Sequence, residues 1–220
     1  MFLLSLQQVE KIDKLQQNSL NVENHQHEFL KKLYCRVYQI AFHAALPLLP
    51  YREPHTLREI DEIVPLLKTL KKQSVLLVTD GGLRKASITA PLENLLEESG
   101  IRCAVHDKTQ ANPTVANVEQ ARELYLKEKC ECLIAFGGGS PMDCAKAVGA
   151  RIAYPKRSMA KLKGTLRVFR KIPTLIAIPI TAGTGSEVTV TAVITDSATK
   201  HKYTMNDFPL IRPMRRWIPR

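Results

Sequence analysis

The chain has 220 residues, of which 45% are hydrophobic and 24% are charged, an ordinary balance for a folded globular protein. This balance disfavours an intrinsically disordered chain and an integral membrane protein. The formal net charge of +11 could attract nucleic acid or an anionic membrane, but the simpler interpretation is a solvated basic face whose acidic counterpart lies on another domain or a partner.

We interpret residues 1–50 as a helical N-terminal extension. Residues 1–32 are rich in Gln, Asn, Glu and Lys, and residues 33–49 predict an amphipathic helix that lies on the domain or on a partner subunit. The apolar run is shorter than the roughly 20 residues that cross a bilayer, and the first residues lack the basic region of a signal peptide. Five cysteines without disulfide or zinc spacing favour reduced thiols. We therefore expect a cytoplasmic protein with no membrane partner.

Residues 51–210 predict one α/β domain. Thr56 is expected to cap an amphipathic helix over residues 55–72, which Pro65 interrupts or kinks. Short apolar runs then predict buried strands at residues 74–79, 102–106, 132–136 and 174–179. Helical spacing predicts helices at residues 90–99, 115–129 and 141–152. The alternation indicates a Rossmann-like parallel sheet with helices on both faces, which binds ligands beyond the carboxyl ends of its strands.

The last part of the sequence predicts a hairpin followed by a tail. Residues 187–195 and 202–205 flank a run of turn residues, a pattern typical of two paired strands. Residues 211–220 show neither helical nor strand periodicity. We interpret them as an irregular basic tail, of the kind that a frameshift or a truncated reading frame produces.

A glycine loop follows the predicted strand at 132–136. Gly137, Gly138 and Gly139 would let a pyrophosphate approach the backbone closely, and the following helix would present its N-terminus to the anion. Ser140 and Asp143 predict a capping box with Pro141 as the first helical residue. A tight turn with an ordinary cap explains the same residues equally well. The GxGxxG fingerprint is absent, so any nucleotide site here is of another type.

Two more strand ends carry polar residues. Thr181, Thr184 and Ser186, with two glycines between them, are typical of a loop that holds an anion or a ribose. Asp80 ends the first predicted strand, where a carboxylate accepts hydrogen bonds from ribose hydroxyls and repels a 2′-phosphate, so we expect NAD rather than NADP. The alternative for Asp80 is a turn former before two glycines.

Four motifs, in this order and spacing, resemble the iron-containing (group III, metal-dependent) alcohol dehydrogenase family. They are VTDGG, NPT, GGGSPMDCAK and PITAGTGSEVT, and the likeness runs from about residue 51 to residue 210. The resemblance implies a dehydroquinate synthase-like N-terminal domain that binds NAD, and hydride transfer between an alcohol or aldehyde and the nicotinamide. It identifies the chain as a truncated N-terminal portion of such an enzyme, which we expect to be impaired in isolation.

The resemblance also implies a cofactor site and no catalytic residue. The implied cofactor residues are Asp80, Gly138, Gly139, Ser140, Asp143, Thr181, Thr184, Thr189 and Lys202. By this likeness Asp80 binds the adenosine ribose, and Gly138, Gly139 and Ser140 hold the pyrophosphate. Asp143 would lie near the nicotinamide and the substrate.

Further roles come from the same likeness. Thr181 and Thr184 match residues of the adenine and phosphate pocket, whereas Thr189 and Lys202 match contacts to the nicotinamide side of the cofactor. Asn112 matches the start of a loop that faces the cleft. As a residue considered alone, Lys202 is equally well explained as a solvated lysine on a strand.

The sequence departs from the family in two places. Ile180 stands where the family usually has the first of two threonines, so one hydrogen bond to the cofactor is in doubt. The family holds iron or zinc in a following all-helical domain with a GxDAxxHxxE segment, which this sequence lacks. His55, His106 and His201 are scattered, so we assign no metal ligand.

Several alternatives remain open at this point. The chain could be a non-catalytic NAD-binding module that docks a partner, and a homodimer is open. A nucleic-acid partner rests on net charge alone and is not expected. A metal-dependent sugar-phosphate lyase of related fold is weaker, because its cofactor loops differ from AGTGSE.

Overall fold

The computed structural model describes residues 31–41, 43–44, 55–57, 59–181, 183–197, 199–211 and 215–217. The chain divides into two compact units, Met1–Pro50 and Tyr51–Arg220. In the first unit, residues 31–41 and 43–44 are helical (α1), and most of the predicted extension lies outside the described residues. No helix within the described ranges is long and apolar enough to cross a membrane.

The second unit alternates strands and helices. Its strands are β1 (His55–Leu57), β2 (Ser74–Val78), β3 (Arg102–His106), β4 (Cys132–Gly137), β5 (Gly164–Thr165), β6 (Thr174–Pro179), β7 (Thr191–Asp196), β8 (His201–Asn206) and β9 (Arg215–Trp217). Its α-helices are α2 (Ile63–Thr69), α3 (Gly81–Lys85), α4 (Ala90–Glu98), α5 (Val115–Lys127), α6 (Gly139–Ala153) and α7 (Met159–Leu162). Short 3₁₀ turns span Ile60–Glu62 and Phe208–Ile211.

Six strands form a parallel sheet in the order β1-β9-β6-β4-β2-β3. The helices that connect β2, β3, β4 and β6 return the chain to the same edge each time, which is why neighbouring strands run in one direction. Beside this sheet, β7 and β8 form the expected antiparallel hairpin, and β5 pairs with β8 in parallel. The structure therefore confirms the predicted α/β class.

The core forms two layers, one on each face of the sheet. Side chains alternate along a strand, so Leu76 and Leu133 face one layer whereas Leu77 and Ile134 face the other. The first layer packs against α5, α6 and the hairpin, and the second packs against α2 and α4. The burial of both faces explains why β2 and β4 are continuously apolar in sequence.

The prediction for residues 55–72 is wrong in its first half. Thr56 lies in strand β1 rather than at a helix cap, and α2 begins only at Ile63, after a 3₁₀ turn. Pro65 is therefore the third residue of the helix, where the absence of its N–H costs no helical hydrogen bond. The strand depends on pairing with β9, which a local helical pattern cannot indicate.

The chain end also differs from its prediction. The tail expected to be irregular contains β9, which lies between β1 and β6 in the sheet. The first hairpin strand begins at Thr191, so residues 187–190 form a loop instead of extending the strand. This loop forms part of the candidate site.

Candidate cofactor-binding site

Three polar segments meet at one edge of the parallel sheet. Asp80 follows β2, Gly138 follows β4 and Thr181 follows β6, and these three strands are hydrogen-bonded neighbours in the order β6-β4-β2. Because parallel strands end at the same edge, the three segments line one cleft. The sequence predicted this edge as the ligand-binding edge.

Gly137 makes the turn from β4 into α6. Its φ of +141° is one that residues with a side chain rarely adopt. A Cβ at this position would also lie 2.8 Å from Pro141 Cγ and 3.1 Å from Leu83 Cδ1. Only glycine fits both the backbone and the space. The turn thereby places the start of α6 at the cleft.

The predicted capping box at Ser140 and Asp143 is wrong. Gly138 is the N-cap residue, α6 begins at Gly139, and Pro141 is the third helical residue instead of the first. No side chain caps the helix, so the N–H groups of Gly139 and Ser140, which have no preceding helical carbonyl, remain at the cleft. These groups and the helix dipole favour an anion.

Two adjoining cavities make up the cleft. The first has a volume of about 480 Å³ and the second about 560 Å³, and both are lined by Gly139 and Ser140. Of the nine residues predicted to hold the cofactor, eight line one or both cavities: Asp80, Gly138, Gly139, Ser140, Asp143, Thr181, Thr184 and Thr189. Lys202 lines neither cavity.

The two glycines at the helix start face two of the predicted threonines. A Cβ on Gly138 would lie 3.2 Å from Thr181 Oγ1, and a Cβ on Gly139 would lie 3.6 Å from Thr184 Cγ2. The space between the helix start and the threonine loop is therefore kept open by the absence of side chains at 138 and 139.

Asp80 caps helix α3 and also lines the cleft. Its Oδ1 accepts hydrogen bonds from the backbone N–H groups of Gly82 at 2.9 Å and Leu83 at 3.0 Å, so it caps helix α3. Both capping bonds go to the same oxygen, which leaves Oδ2 outside the cap. The turn-forming interpretation is thus correct, and the proposed contact with a ribose is not in conflict with it.

Asp143 links α6 to the hairpin and to the loop before it. Its Oδ1 accepts from Ser186 Oγ at 2.5 Å, and its Oδ2 accepts from the backbone N–H of Val193 at 3.0 Å. Burial raises the pKa of the Asp143 carboxyl, while the hydrogen bonds from Ser186 and Val193 and the charge of Lys146 oppose the increase. Asp143 thus fixes one wall of the second cavity.

Lys146 is an important residue that the sequence interpretation missed. Its side chain is fully buried, and its Nζ donates to the carbonyl oxygens of Ser186, Thr189 and Thr191. Burial lowers the pKa of Lys146 to about 8, against the opposing effect of the Asp143 and Glu187 carboxylates. The signal in the sequence is its spacing from Asp143, since residues three apart share a helix face.

Thr189 and Lys202, the last two residues predicted to contact the cofactor, form hydrogen bonds with other residues of the protein. Thr189 Oγ1 lies 3.2 Å from Lys146 Nζ, so this hydroxyl takes part in holding its own loop. Lys202 Nζ donates to Asn112 Oδ1 at 2.8 Å, and Asn112 lines the second cavity. The predicted position of Asn112 at the cleft and the predicted position of Lys202 on the hairpin both agree with this arrangement.

Ile180, the departure from the family pattern, packs inward. It is partly buried against the core layer that contains Ile178, and its N–H donates to the carbonyl of Gly137 at 3.1 Å. The residue therefore ties the end of β6 to the glycine turn. It lines the first cavity with an apolar surface instead of a hydroxyl.

The described part of the chain does not fit a metal centre of the family's kind. It contains no group of three or more His, Cys, Asp or Glu side chains that could hold a metal ion. His106 and His201 belong to different sheets, consistent with their scattered positions in the sequence.

Comparisons with known proteins agree with this geometry. Residues 54–213 match the family described as iron-containing alcohol dehydrogenase. The chain is 44% identical over 130 residues to choline dehydrogenase of Bacillus subtilis (strain 168), a match that covers 58% of this chain and 32% of that protein. It is 34% identical over 148 residues to the NAD-dependent methanol dehydrogenase of Bacillus methanolicus, covering 67% and 39% respectively. The crystal structure of a 1,3-propanediol oxidoreductase superposes with a TM-score of 0.71 at 29% identity, covering 76% of this chain and 44% of that one.

The chain therefore belongs to the iron-containing alcohol dehydrogenase family, because the family match covers well over half of its residues. This confirms the resemblance deduced from the four sequence motifs. The chain spans about a third of the length of the curated relatives it matches.

Proposed function

We propose that this chain forms the NAD-binding part of an alcohol dehydrogenase that transfers a hydride between an alcohol or aldehyde and a nicotinamide cofactor. The observation that carries the proposal is the single cleft that joins Asp80, the uncapped start of α6 and the threonine loop after β6. Bound NAD would supply the nicotinamide ring that exchanges the hydride with the alcohol carbon. The name of the methanol dehydrogenase relative, which specifies NAD, supports the choice of cofactor.

The residues of this chain would act by binding and orientation. The N–H groups of Gly139 and Ser140 would hold the pyrophosphate, and the Asp80 carboxylate would accept hydrogen bonds from a ribose. Asp143 and the loop from Ser186 to Thr189 would form the wall of the second cavity beside the nicotinamide. Holding the reacting atoms in line is one contribution that a protein makes to such a transfer.

The alternative of a partner-docking module without catalysis gains no support from the comparisons, since the relatives named above are dehydrogenases or oxidoreductases. A homodimer and a cytoplasmic location stay predictions.

Titration with NADH, followed by the change in its fluorescence, tests the proposed function. We expect saturable binding, and we expect Gly138→Val to weaken it at least about tenfold, because the new side chain would fill the space between α6 and Thr181. The backbone at Gly138 is extended, with a φ of −85° and a ψ of −160°, and circular dichroism of Gly138→Val checks that the variant is folded. Ala160→Val, at an exposed position of α7, is the control. Equal affinity of Gly138→Val and the unmodified protein would overturn the assignment.

Asp80→Asn is expected to shift the cofactor preference toward NADPH by about tenfold, because the charge that repels a 2′-phosphate is removed. Asparagine is as good a helix cap as aspartate, so α3 should be retained. The ratio of the NADH and NADPH dissociation constants measures the effect. Asp61→Asn removes the same charge from an exposed residue that lines neither cavity, and it should leave the ratio unchanged. An unchanged ratio in Asp80→Asn would remove Asp80 from the ribose site.

A further inference from the structure

We propose that Lys146 is a positioning residue, whose buried ammonium group organises the segment from Ser186 to Thr191 and so shapes the second cavity. The proposal has a structural part, which concerns the segment itself, and a part that rests on the proposed function, which concerns the cofactor. The two parts are tested by separate measurements below.

The ammonium group is surrounded by oxygen atoms from one short stretch of chain. Lys146 Nζ lies 2.5 Å from the carbonyl oxygen of Ser186, 2.8 Å from that of Thr189 and 2.8 Å from that of Thr191. An ammonium has three N–H donors, and three carbonyls spread over six residues use all of them. The Thr189 hydroxyl, at 3.2 Å, adds a fourth oxygen.

The segment lacks regular secondary structure, since residues 186–190 belong to neither a helix nor a strand. Its backbone hydrogen bonds run from the Val188 N–H to the Gly185 carbonyl and from the Asp207 N–H to the Val190 carbonyl, both at 3.0 Å. The Thr189 hydroxyl also lies 3.4 Å from the carbonyl oxygens of Ser186 and Thr191. Buried carbonyl groups need hydrogen-bond donors. In a β-sheet or a helix the backbone N–H groups are these donors, whereas here the Lys146 side chain donates the hydrogen bonds. The ammonium group is therefore the shared partner of three carbonyls in this segment.

The charge of Lys146 is compatible with its burial because carboxylates lie nearby. Asp143, one turn earlier on α6, and Glu187, within the segment, are the carboxylates whose charges act on the ammonium. An isolated buried cation would be costly, and here three carbonyl partners and two neighbouring carboxylates offset part of that cost. Lys146 thus places a positive charge and three hydrogen-bond donors at one point of α6, the helix that begins at the cleft.

Two contacts connect Lys146 on helix α6 to the wall of the second cavity. Lys146 fixes the carbonyl of Ser186, and Ser186 Oγ donates to Asp143 at 2.5 Å. Ser186, Thr189 and Thr191 all line the second cavity, but none of them lines the first. Loss of the ammonium should therefore disturb the second cavity and spare the first.

The structural part is tested by hydrogen exchange of the unliganded protein. Lys146→Met keeps a long unbranched side chain but has no donor. We expect exchange of the Val188 amide, which bonds the Gly185 carbonyl, to become at least about tenfold faster, while β2 and β4 stay protected. The matched control is Arg151→Met, which removes another buried cation from the same helix. Arg151 bonds Glu119 and the carbonyls of Tyr154 and Arg157, so this variant should affect residues 154–157 instead. Unchanged exchange of the Val188 amide in a folded Lys146→Met protein would overturn the proposal.

The unmodified protein provides a second test that does not depend on a variant folding. A ¹H–¹⁵N spectrum selective for lysine ammonium groups should contain one ordered, slowly exchanging signal at neutral pH, assignable to Lys146. A solvated lysine loses its protons to water too quickly to give such a signal. Absence of the signal would contradict an ammonium held by three carbonyls.

The cofactor part is tested by comparing NADH with ADP, which has the adenosine and pyrophosphate but no nicotinamide. In Lys146→Met we expect the NADH dissociation constant to rise about tenfold and that of ADP to stay within about twofold. Equal weakening of both ligands would show a general structural role and would overturn the positioning role. If the unmodified protein bound neither ligand, the proposed function would fail while the hydrogen-exchange result still stood.

Discussion

Replacing Gly137 with alanine is expected to lower the free energy of unfolding by about 2–6 kcal/mol. About 1–3 kcal/mol comes from forcing a side chain into the backbone conformation at φ +141°, and a similar amount from the overlap of the new Cβ with Pro141 and Leu83. Urea unfolding followed by circular dichroism measures the change. The effect is large because a single turn determines both the end of a central strand and the start of α6.

Gly164 offers a matched control for this substitution. It also has a positive φ, of +101°, but nothing lies within 4 Å of a Cβ placed there. Gly164→Ala should therefore show the conformational cost alone, about 1–3 kcal/mol. If Gly137→Ala were no more destabilising than Gly164→Ala, the close packing around the glycine turn would be refuted.

Asp143→Ala is expected to lower the free energy of unfolding by about 2–6 kcal/mol and to weaken NADH binding. The substitution leaves the buried hydroxyl of Ser186 and the N–H of Val193 without their acceptor, at about 1–3 kcal/mol for each unsatisfied group, and removes a carboxylate next to Lys146. The same unfolding experiment gives the stability, and an NADH titration gives the affinity.

Asp143→Asn separates the hydrogen bonds from the charge. The amide can accept from Val193 with its oxygen and donate to Ser186 with its nitrogen, so most of the stability should be kept. A loss in Asp143→Asn as large as in Asp143→Ala would mean that the charge beside Lys146, rather than the hydrogen bonds, determines the effect. No loss in Asp143→Ala would contradict its role as the link between α6 and the hairpin.

The sheet could be predicted because its signals are local. Strands β3 and β6 have the predicted bounds, since each is a short run of apolar residues closed by turn residues. A strand that is buried on both faces of the sheet needs apolar residues at every position, so it is visible in the sequence as a continuous apolar run. The polar residues at the strand ends could be predicted for the same reason, because parallel topology brings those ends together.

The features that escaped prediction are those set by distant contacts. The helical pattern around Thr56 was misleading because strand β1 exists through pairing with β9, about 160 residues away in sequence. The start of α6 came two residues earlier than expected, because the turn geometry of Gly137 outweighs the poor helix propensity of glycine. Lys146 reaches carbonyls 40 to 45 residues away, and no local motif indicates such a contact.

A ¹H–¹⁵N amide spectrum of the protein titrated with NADH tests directly whether the cofactor binds in this cleft. Binding in the proposed cleft predicts shifted signals for Gly82, Gly139, Ser140 and Thr184, which lie at the carboxyl edge of the sheet. Signals from Arg102 and Glu131, which lie at the opposite ends of the strands, should stay in place. Shifts confined to that opposite edge, or no shifts at saturating NADH, would contradict a cofactor-binding role for this domain.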